Sequence, residues 1–108
     1  WLKSLDPNHL VTVGEEGFWG PGSPQAQNNP QPSSSEPGWG RGCWAQATGQ
    51  DFVPNHSIDS IDFAGIHIWP DNWNITEQAF LQRWIDTHMA AARDMNKPLI
   101  IEEFGKNV

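Results

Sequence analysis

Six residues whose side chains can bind or cleave a sugar lie at the ends of three strand-like runs: Glu15, Glu16, His67, Trp69, Glu102 and Glu103. Hydrolysis of a glycosidic bond requires two carboxyl groups, one acting as an acid and the other as a nucleophile or a base. An indole ring supplies a flat face that stacks on the apolar side of a pyranose. We therefore expect an acid/base pocket for a carbohydrate where the three runs end.

The elements that must position these side chains are three strands, predicted from runs rich in β-branched and other apolar residues at 9–13, 61–69 and 99–103. Asn74 and Glu77 approximate a capping box, which predicts a helix that ends near Met95. The order strand, long loop, strand, helix, strand predicts an α/β fold with parallel strands joined by right-handed crossovers. Functional groups of such folds collect at the carboxyl ends of the strands.

One face of the predicted helix is apolar and matches the 3.6-residue period, at Leu81, Trp84, Ile85, His88, Ala91, Ala92 and Met95. We expect Trp84 to lie in the core. His88 either packs with it or lies at a solvated edge.

A segment at about 20–42 separates the first two strands and is rich in Pro, Gly, Ser, Asn and Gln. Such a composition predicts an extended surface loop, because it offers few apolar groups for burial. The loop nevertheless ends among the aromatic residues Trp39 and Trp44. It is therefore either a packed lid or subsite wall, or a mobile excursion.

Side-chain alternation along the third strand constrains which carboxylate faces the pocket. Residues 99, 101 and 103 share one face, and residues 100, 102 and 104 share the other. Only one of Glu102 and Glu103 is then expected to face the pocket, and alternation alone does not decide which. The same rule places His67 and Trp69 on a common face.

Composition excludes several classes of function. The chain of 108 residues has 6 Lys and Arg against 13 Asp and Glu, a net charge of −7, which argues against nucleic acid or an anionic membrane as a partner. No apolar run is long enough to span a membrane. Cys43 is the single cysteine and has no partner for an internal disulfide. His9 and His56 lack a metal-ligand spacing, so no metal site is expected.

Three segments of the chain together resemble one family. They are 4–18, then 48–52 together with 61–73, and 97–106, which contain Gly14-Glu15-Glu16-Gly17-Phe18, His67-Ile68-Trp69-Pro70-Asp71 and Ile101-Glu102-Glu103-Phe104-Gly105. In order and spacing they resemble the fifth, sixth and seventh strand regions of the endo-β-1,4-mannanases of glycoside hydrolase family 5. The resemblance spans nearly the whole chain outside the Pro- and Ser-rich loop.

The resemblance implies that residues 1–108 are part of one catalytic domain, a partial (β/α)8 TIM barrel. It makes Glu103, directly before an aromatic-Gly pair, the nucleophile of a retaining enzyme, which leaves Glu102 in a structural role behind the strand. His67 would lie near the nucleophile and the sugar, and Trp69 would bind substrate where many members have a Tyr. The family acts on β-mannans, including glucomannan and galactomannan, requires no cofactor and is secreted.

The family's general acid/base is a Glu that follows an Asn, and this sequence contains no Asn-Glu pair. Because a complete barrel needs about 250 residues, we expect the 108 residues to be an incomplete catalytic domain that is inactive by itself. Two alternatives stay open. One is a β-1,4-glucanase of the same barrel superfamily, and the other is a non-catalytic carbohydrate-binding protein, which the seven Trp residues would suit.

Overall fold

The computed structural model describes residues 1–30, 43–75 and 78–107. Its helices and strands are α1 (Leu2–Leu5), a 3-10 turn (Ala26–Asn28), α2 (Cys43–Ala47), α3 (Phe52–His56), β1 (Ala64–Ile68), α4 (Gln78–Asp94) and β2 (Leu99–Phe104). Three predicted features lie outside the described residues: Glu77 of the capping box, Trp39, and most of the loop.

The two strands β1 and β2 pair in parallel, with α4 between them in sequence. This confirms the predicted parallel order of strand, helix and strand. The pairing runs from Ala64 opposite Leu99 to Ile68 opposite Phe104, and it shifts after Ile66. Ile66 faces Ile101 whereas His67 faces Glu103, so Glu102 is an extra residue on β2, which makes a β-bulge.

The predicted first strand at 9–13 is wrong as a strand. The chain there is extended and runs beside β1, but side chains take the place of ladder bonds. The Asp62 carboxylate accepts from the Val11 amide at 2.6 Å, and the Thr12 hydroxyl donates to the Phe63 carbonyl at 2.7 Å. A backbone bond of the kind expected in a ladder joins the two segments as well, since the amide of Asp62 donates to the Val11 carbonyl at 2.7 Å.

The described part of the predicted loop, residues 20–30, is packed. The side chain of Asn29 is buried and bonds both backbone groups of Trp19, accepting from its amide and donating to its carbonyl, each at 2.8 Å. Residues 26–28 form the 3-10 turn. The end of this part is thus tied to Trp19, and the two alternatives for the loop as a whole stay predictions.

Aromatic rings fill the core between α4 and the segment that follows residue 16. Trp84 is fully buried, as predicted, and stacks on Phe80 with ring centroids 5.7 Å apart. Phe18 contacts Trp84 edge-on at 6.2 Å and Trp73 at 5.8 Å. Edge-to-face and stacked pairs of this kind add stability beyond their buried area, so α4 is anchored to the ends of the strands.

Apolar side chains of β2 remain exposed at Ile100, Ile101 and Phe104, with exposed fractions of 44%, 40% and 74%. Within the described ranges, β2 has one neighbouring strand, which is β1. No helix of the described part is both long and apolar enough to cross a membrane.

Candidate active site

Three carboxylates surround the ring of His67. Its Nδ1 lies 3.1 Å from Oε1 of Glu16 and 3.8 Å from Oε2 of Glu103, and its Nε2 lies 3.7 Å from Oε2 of Glu102. The histidine side chain is 13% exposed and that of Glu103 is 57% exposed. The arrangement places a solvent-accessible carboxylate beside a largely buried imidazole.

The indole of Trp69 contacts the same carboxylate. Its Nε1 donates to Oε2 of Glu103 at 3.1 Å. Gly105 makes room for the ring, because a Cβ at that position would collide with it. The backbone amide of Gly105 also donates to the Ile68 carbonyl at 3.0 Å, which fixes the end of β2 beside the end of β1. His67, Trp69 and Glu103, the three site residues expected from the sequence, are thus brought together.

Glu16 bridges two residues of the site from outside the sheet. Besides its contact with His67, it accepts from the Trp73 indole at 3.1 Å through Oε2. The His67 amide donates to the backbone carbonyl of Glu16 at 3.2 Å. Trp73 is 4% exposed and Trp19 is fully buried, so both rings pack in the core.

The expectation that Glu102 lies behind the strand is wrong, and the β-bulge is the reason. Strict alternation would place Glu102 and Glu103 on opposite faces. The extra residue in β2 interrupts that alternation, and both carboxylates reach the ring of His67. Glu102 lies over Gly65, where a Cβ would stand 2.5 Å from its carboxyl carbon.

A second polar cluster, missed by the sequence reasoning, lies next to the site. Glu15 is 7% exposed, and its Oε2 accepts a hydrogen bond from the side-chain amide of Asn55 at 2.8 Å. Its Oε1 lies 3.5 Å from Nδ1 of His56. His56 accepts from the Gly65 amide through Nε2 at 3.3 Å, so its proton resides on Nδ1, which faces the Phe52 carbonyl at 2.8 Å. Burial raises the pKa of Glu15, against the opposing effect of the Asn55 hydrogen bond.

His88 connects α4 to the segment after Glu16. Its Nδ1 lies 2.7 Å from the Trp84 carbonyl and its Nε2 lies 2.8 Å from the Gly17 carbonyl. The ring stacks on Trp19 with centroids 4.3 Å apart. Burial lowers the pKa of His88 to about 4, although both carbonyl contacts favour the charged form. Of the two predicted positions for this residue, packing in the core is confirmed.

The position of the Glu103 carboxylate suits it to act on a substrate as a nucleophile or a base. A half-exposed carboxylate that accepts a hydrogen bond from an indole is held in one orientation and is accessible to a substrate. Within residues 1–30, 43–75 and 78–107, no group of three His, Cys, Asp or Glu side chains has an arrangement that could hold a metal ion.

Comparison with known proteins finds relatives that are named as mannosidases. Residues 40–107 match the model of the family described as GH family 5 beta-mannosidase-like. The chain is 40% identical over 111 residues to a putative mannan endo-1,4-beta-mannosidase P of Arabidopsis thaliana, covering 97% of this chain and 25% of the relative. It is 39% identical to mannan endo-1,4-beta-mannosidase 2 of Oryza sativa, covering 97% and 23%.

Solved structures give the same result. An endo-1,4-beta-mannanase from Rhizomucor miehei superposes with a TM-score of 0.71 at 34% identity, over 97% of this chain and 26% of that chain. An endo-beta-1,4-mannanase from Thermotoga petrophila superposes with a TM-score of 0.69 at 34% identity, over 96% and 21%. The chain thus spans about a quarter of the length of the relatives it matches. Because the family model covers more than half of its residues, the chain belongs to the GH family 5 beta-mannosidase-like proteins.

Proposed function

We propose that this chain forms the nucleophile side of the active site of a retaining endo-1,4-β-mannosidase. Its strands would be the sixth and seventh of a (β/α)8 barrel, with residues 9–16 in the place of the fifth. The observation that carries the proposal is the Glu103 carboxylate at the end of a parallel strand, bound by the Trp69 indole at 3.1 Å and beside His67. The mannanase names of the relatives support this reaction.

In the proposed reaction, an oxygen of Glu103 attacks the anomeric carbon of a mannosyl unit. A bond forms between that oxygen and the carbon, while the bond from the carbon to the leaving glycosidic oxygen breaks. A second carboxylic acid protonates the leaving oxygen and later removes a proton from the water that releases the sugar. This chain has no Asn-Glu pair, so we assign that acid to residues outside the 108 described by this sequence.

The other site residues orient the nucleophile. The Trp69 N–H donates to Oε2 of Glu103 and so orients the carboxylate that attacks. Nδ1 of His67 faces both the scaffold carboxylate Glu16, at 3.1 Å, and the nucleophile Glu103, at 3.8 Å. We propose β-mannan, glucomannan or galactomannan as the substrate, with no cofactor. We also propose that the protein is secreted, as the resemblance to the family implies.

By the intact protein we mean these 108 residues together with the segments that complete the proposed barrel. Site-directed variants of the intact protein test this function. Glu103→Gln keeps the shape of the side chain and removes its negative charge, so we expect hydrolysis of mannan to fall at least about 10³-fold. Asp59→Asn, at an exposed position that precedes β1 and is not among the site residues, is the matched control and should retain full activity.

Two other outcomes would contradict the proposal. Faster hydrolysis of cellulose than of mannan by the unaltered protein would indicate a β-1,4-glucanase. A protein that does not hydrolyse either polysaccharide, but binds mannan equally well before and after Glu103→Ala, would be a carbohydrate-binding protein.

A further inference from the structure

Glu102 has no part in the reaction proposed above, yet it lies within the site. Its Oε2 is 3.7 Å from Nε2 of His67, on the opposite edge of the ring from Glu16 and Glu103. The imidazole therefore has a carboxylate facing each of its two nitrogens. The Glu102 carboxylate thus lies against the edge of the ring that Glu16 and Glu103 leave uncovered.

The β-bulge is what brings Glu102 to this position. Ile66 pairs with Ile101 and His67 pairs with Glu103, so Glu102 has no partner across the ladder. Bulges next to active sites redirect a side chain that regular alternation would send elsewhere. Here the redirected side chain is the carboxylate that immediately precedes the proposed nucleophile.

Gly65 provides the space that the carboxylate occupies. It lies two residues before His67 on β1 and so shares its face of the strand. A Cβ at Gly65 would stand 2.5 Å from the Glu102 carboxyl carbon and 2.6 Å from Oε2. The backbone of Gly65 is itself fixed, because its amide donates to Nε2 of His56. Glycine at position 65 and the bulge in β2 thus both allow the Glu102 carboxylate to approach the ring of His67.

We propose that Glu102 is a positioning residue, which holds the His67 ring at Nε2 so that Nδ1 stays directed at Glu16 and the nucleophile Glu103. This inference rests on the proposed function for its kinetic consequence, but the contact itself does not depend on it. The side chain of Glu102 acts through His67 and does not touch the substrate.

Kinetics on mannan with the intact protein test the inference. Glu102→Gln keeps the size of the side chain and removes its charge, so the ring loses a charged contact. We expect kcat to fall about tenfold, because small errors in the placement of catalytic groups have effects of this order. We expect KM to change less than about twofold. In a His67→Asn background, the same change should cost less than about twofold, because the ring through which it acts is gone.

Gly65 supplies an independent route to the same contact. Gly65→Ala should lower kcat by crowding the Glu102 carboxylate away from the ring. It should have little effect once Glu102→Ala has emptied that space. Equal loss from Gly65→Ala with and without Glu102→Ala, or a full tenfold loss from Glu102→Gln in the His67→Asn background, would overturn the inference and indicate a general structural role.

A measurement that does not depend on catalysis separates this inference from the proposed function. The ring ¹⁵N resonances of His67 in the intact protein should move in Glu102→Gln and in Gly65→Ala, and stay unchanged in the control Asp59→Asn. If the unaltered protein fails to hydrolyse mannan but these resonances move, the proposed function is wrong and the contact stands. Resonances that do not move in either variant would overturn the inference.

Discussion

The indole of Trp69 donates a 3.1 Å hydrogen bond to the carboxylate of Glu103, from the end of the neighbouring strand. Many family members are expected to place a Tyr at this position, with its hydroxyl as the donor. An indole N–H can donate in the same way but cannot accept. Trp69 therefore retains the contact with the proposed nucleophile and removes one possible acceptor from the site.

Replacing Trp69 by Phe should lower kcat on mannan about tenfold, because the ring stays while the donor to a charged group, which contributes about 1.5 to 3 kcal/mol, is lost. Trp69→Tyr restores a donor and should recover most of the rate. Steady-state kinetics of the two variants of the intact protein provide the measurement. Equal losses in both would mean that the ring, and not its hydrogen bond, is what matters.

Gly17 is predicted to be intolerant of a side chain. Its φ is +93°, and a Cβ there would stand 2.7 Å from Cγ2 of Ile66 in the core. Backbone strain and overpacking together should make Gly17→Ala about 3 kcal/mol less stable in urea denaturation of the intact protein. Gly14 has open space around it and is the control, with a change expected within about 1 kcal/mol for Gly14→Ala. Similar urea midpoints for the two variants would contradict the crowding around Gly17.

Glu15 should make stability depend on pH above the range in which carboxyl groups ordinarily ionise. Burial raises its pKa in the folded protein. As the pH rises, the unfolded chain loses this proton first, so the contribution of Glu15 is favourable at low pH and is lost as the pH rises through the raised pKa. Glu15→Gln cannot ionise, and relative to the unaltered protein it should therefore gain melting temperature between pH 4 and pH 7.

Thermal unfolding of the intact protein at both pH values checks this, with Asp59→Asn as the control for removal of one negative charge. A Glu15→Gln variant that loses melting temperature relative to the unaltered protein between pH 4 and pH 7 would mean that the buried carboxylate is stabilised by its contacts with Asn55 and His56 and not penalised by burial.

His88 should have the opposite dependence. Its pKa falls from 6.5 to about 4 on folding, so the unfolded state takes up a proton first as the solution is acidified. Its contribution to stability is complete above pH 6.5 and decreases by on the order of 3 kcal/mol as the pH falls to 4. Urea midpoints at pH 7 and pH 4 should differ less in His88→Gln than in the unaltered protein, even though loss of the stack on Trp19 makes the variant less stable at pH 7. An equal difference in both proteins would show that His88 is not the group that titrates.

The sequence was sufficient for the elements whose pattern is regular. The apolar runs at 61–69 and 99–103 and the 3.6-residue spacing around Trp84 predicted β1, α4 and β2 in the right order, and they placed His67 and Glu103 at one edge. These elements are predictable because burial of one face or of both faces of an element leaves a periodic trace in the residue types.

The remaining features depend on contacts between distant residues. The extended segment at 9–13 resembles a strand in composition. However, its Val11 amide donates to the Asp62 carboxylate, and the Phe63 carbonyl accepts from the Thr12 hydroxyl, so these backbone groups bond to side chains and not to each other's strand. The bulge at Glu102 adds one residue without any change in composition, so alternation assigned the wrong face. The buried pair of Glu15 and His56 is 41 residues apart in the sequence, with no motif that joins them.

The exposed side chains of Ile100, Ile101 and Phe104 determine how these 108 residues behave in the test tube. An apolar strand with a free edge in the described part of the chain is a template for pairing with another copy. Preparations of the isolated segment will therefore lose monomer as protein concentration rises, and light scattering will report this before any change in helix content. A lysine in place of Ile101 is the change that should keep such preparations clear.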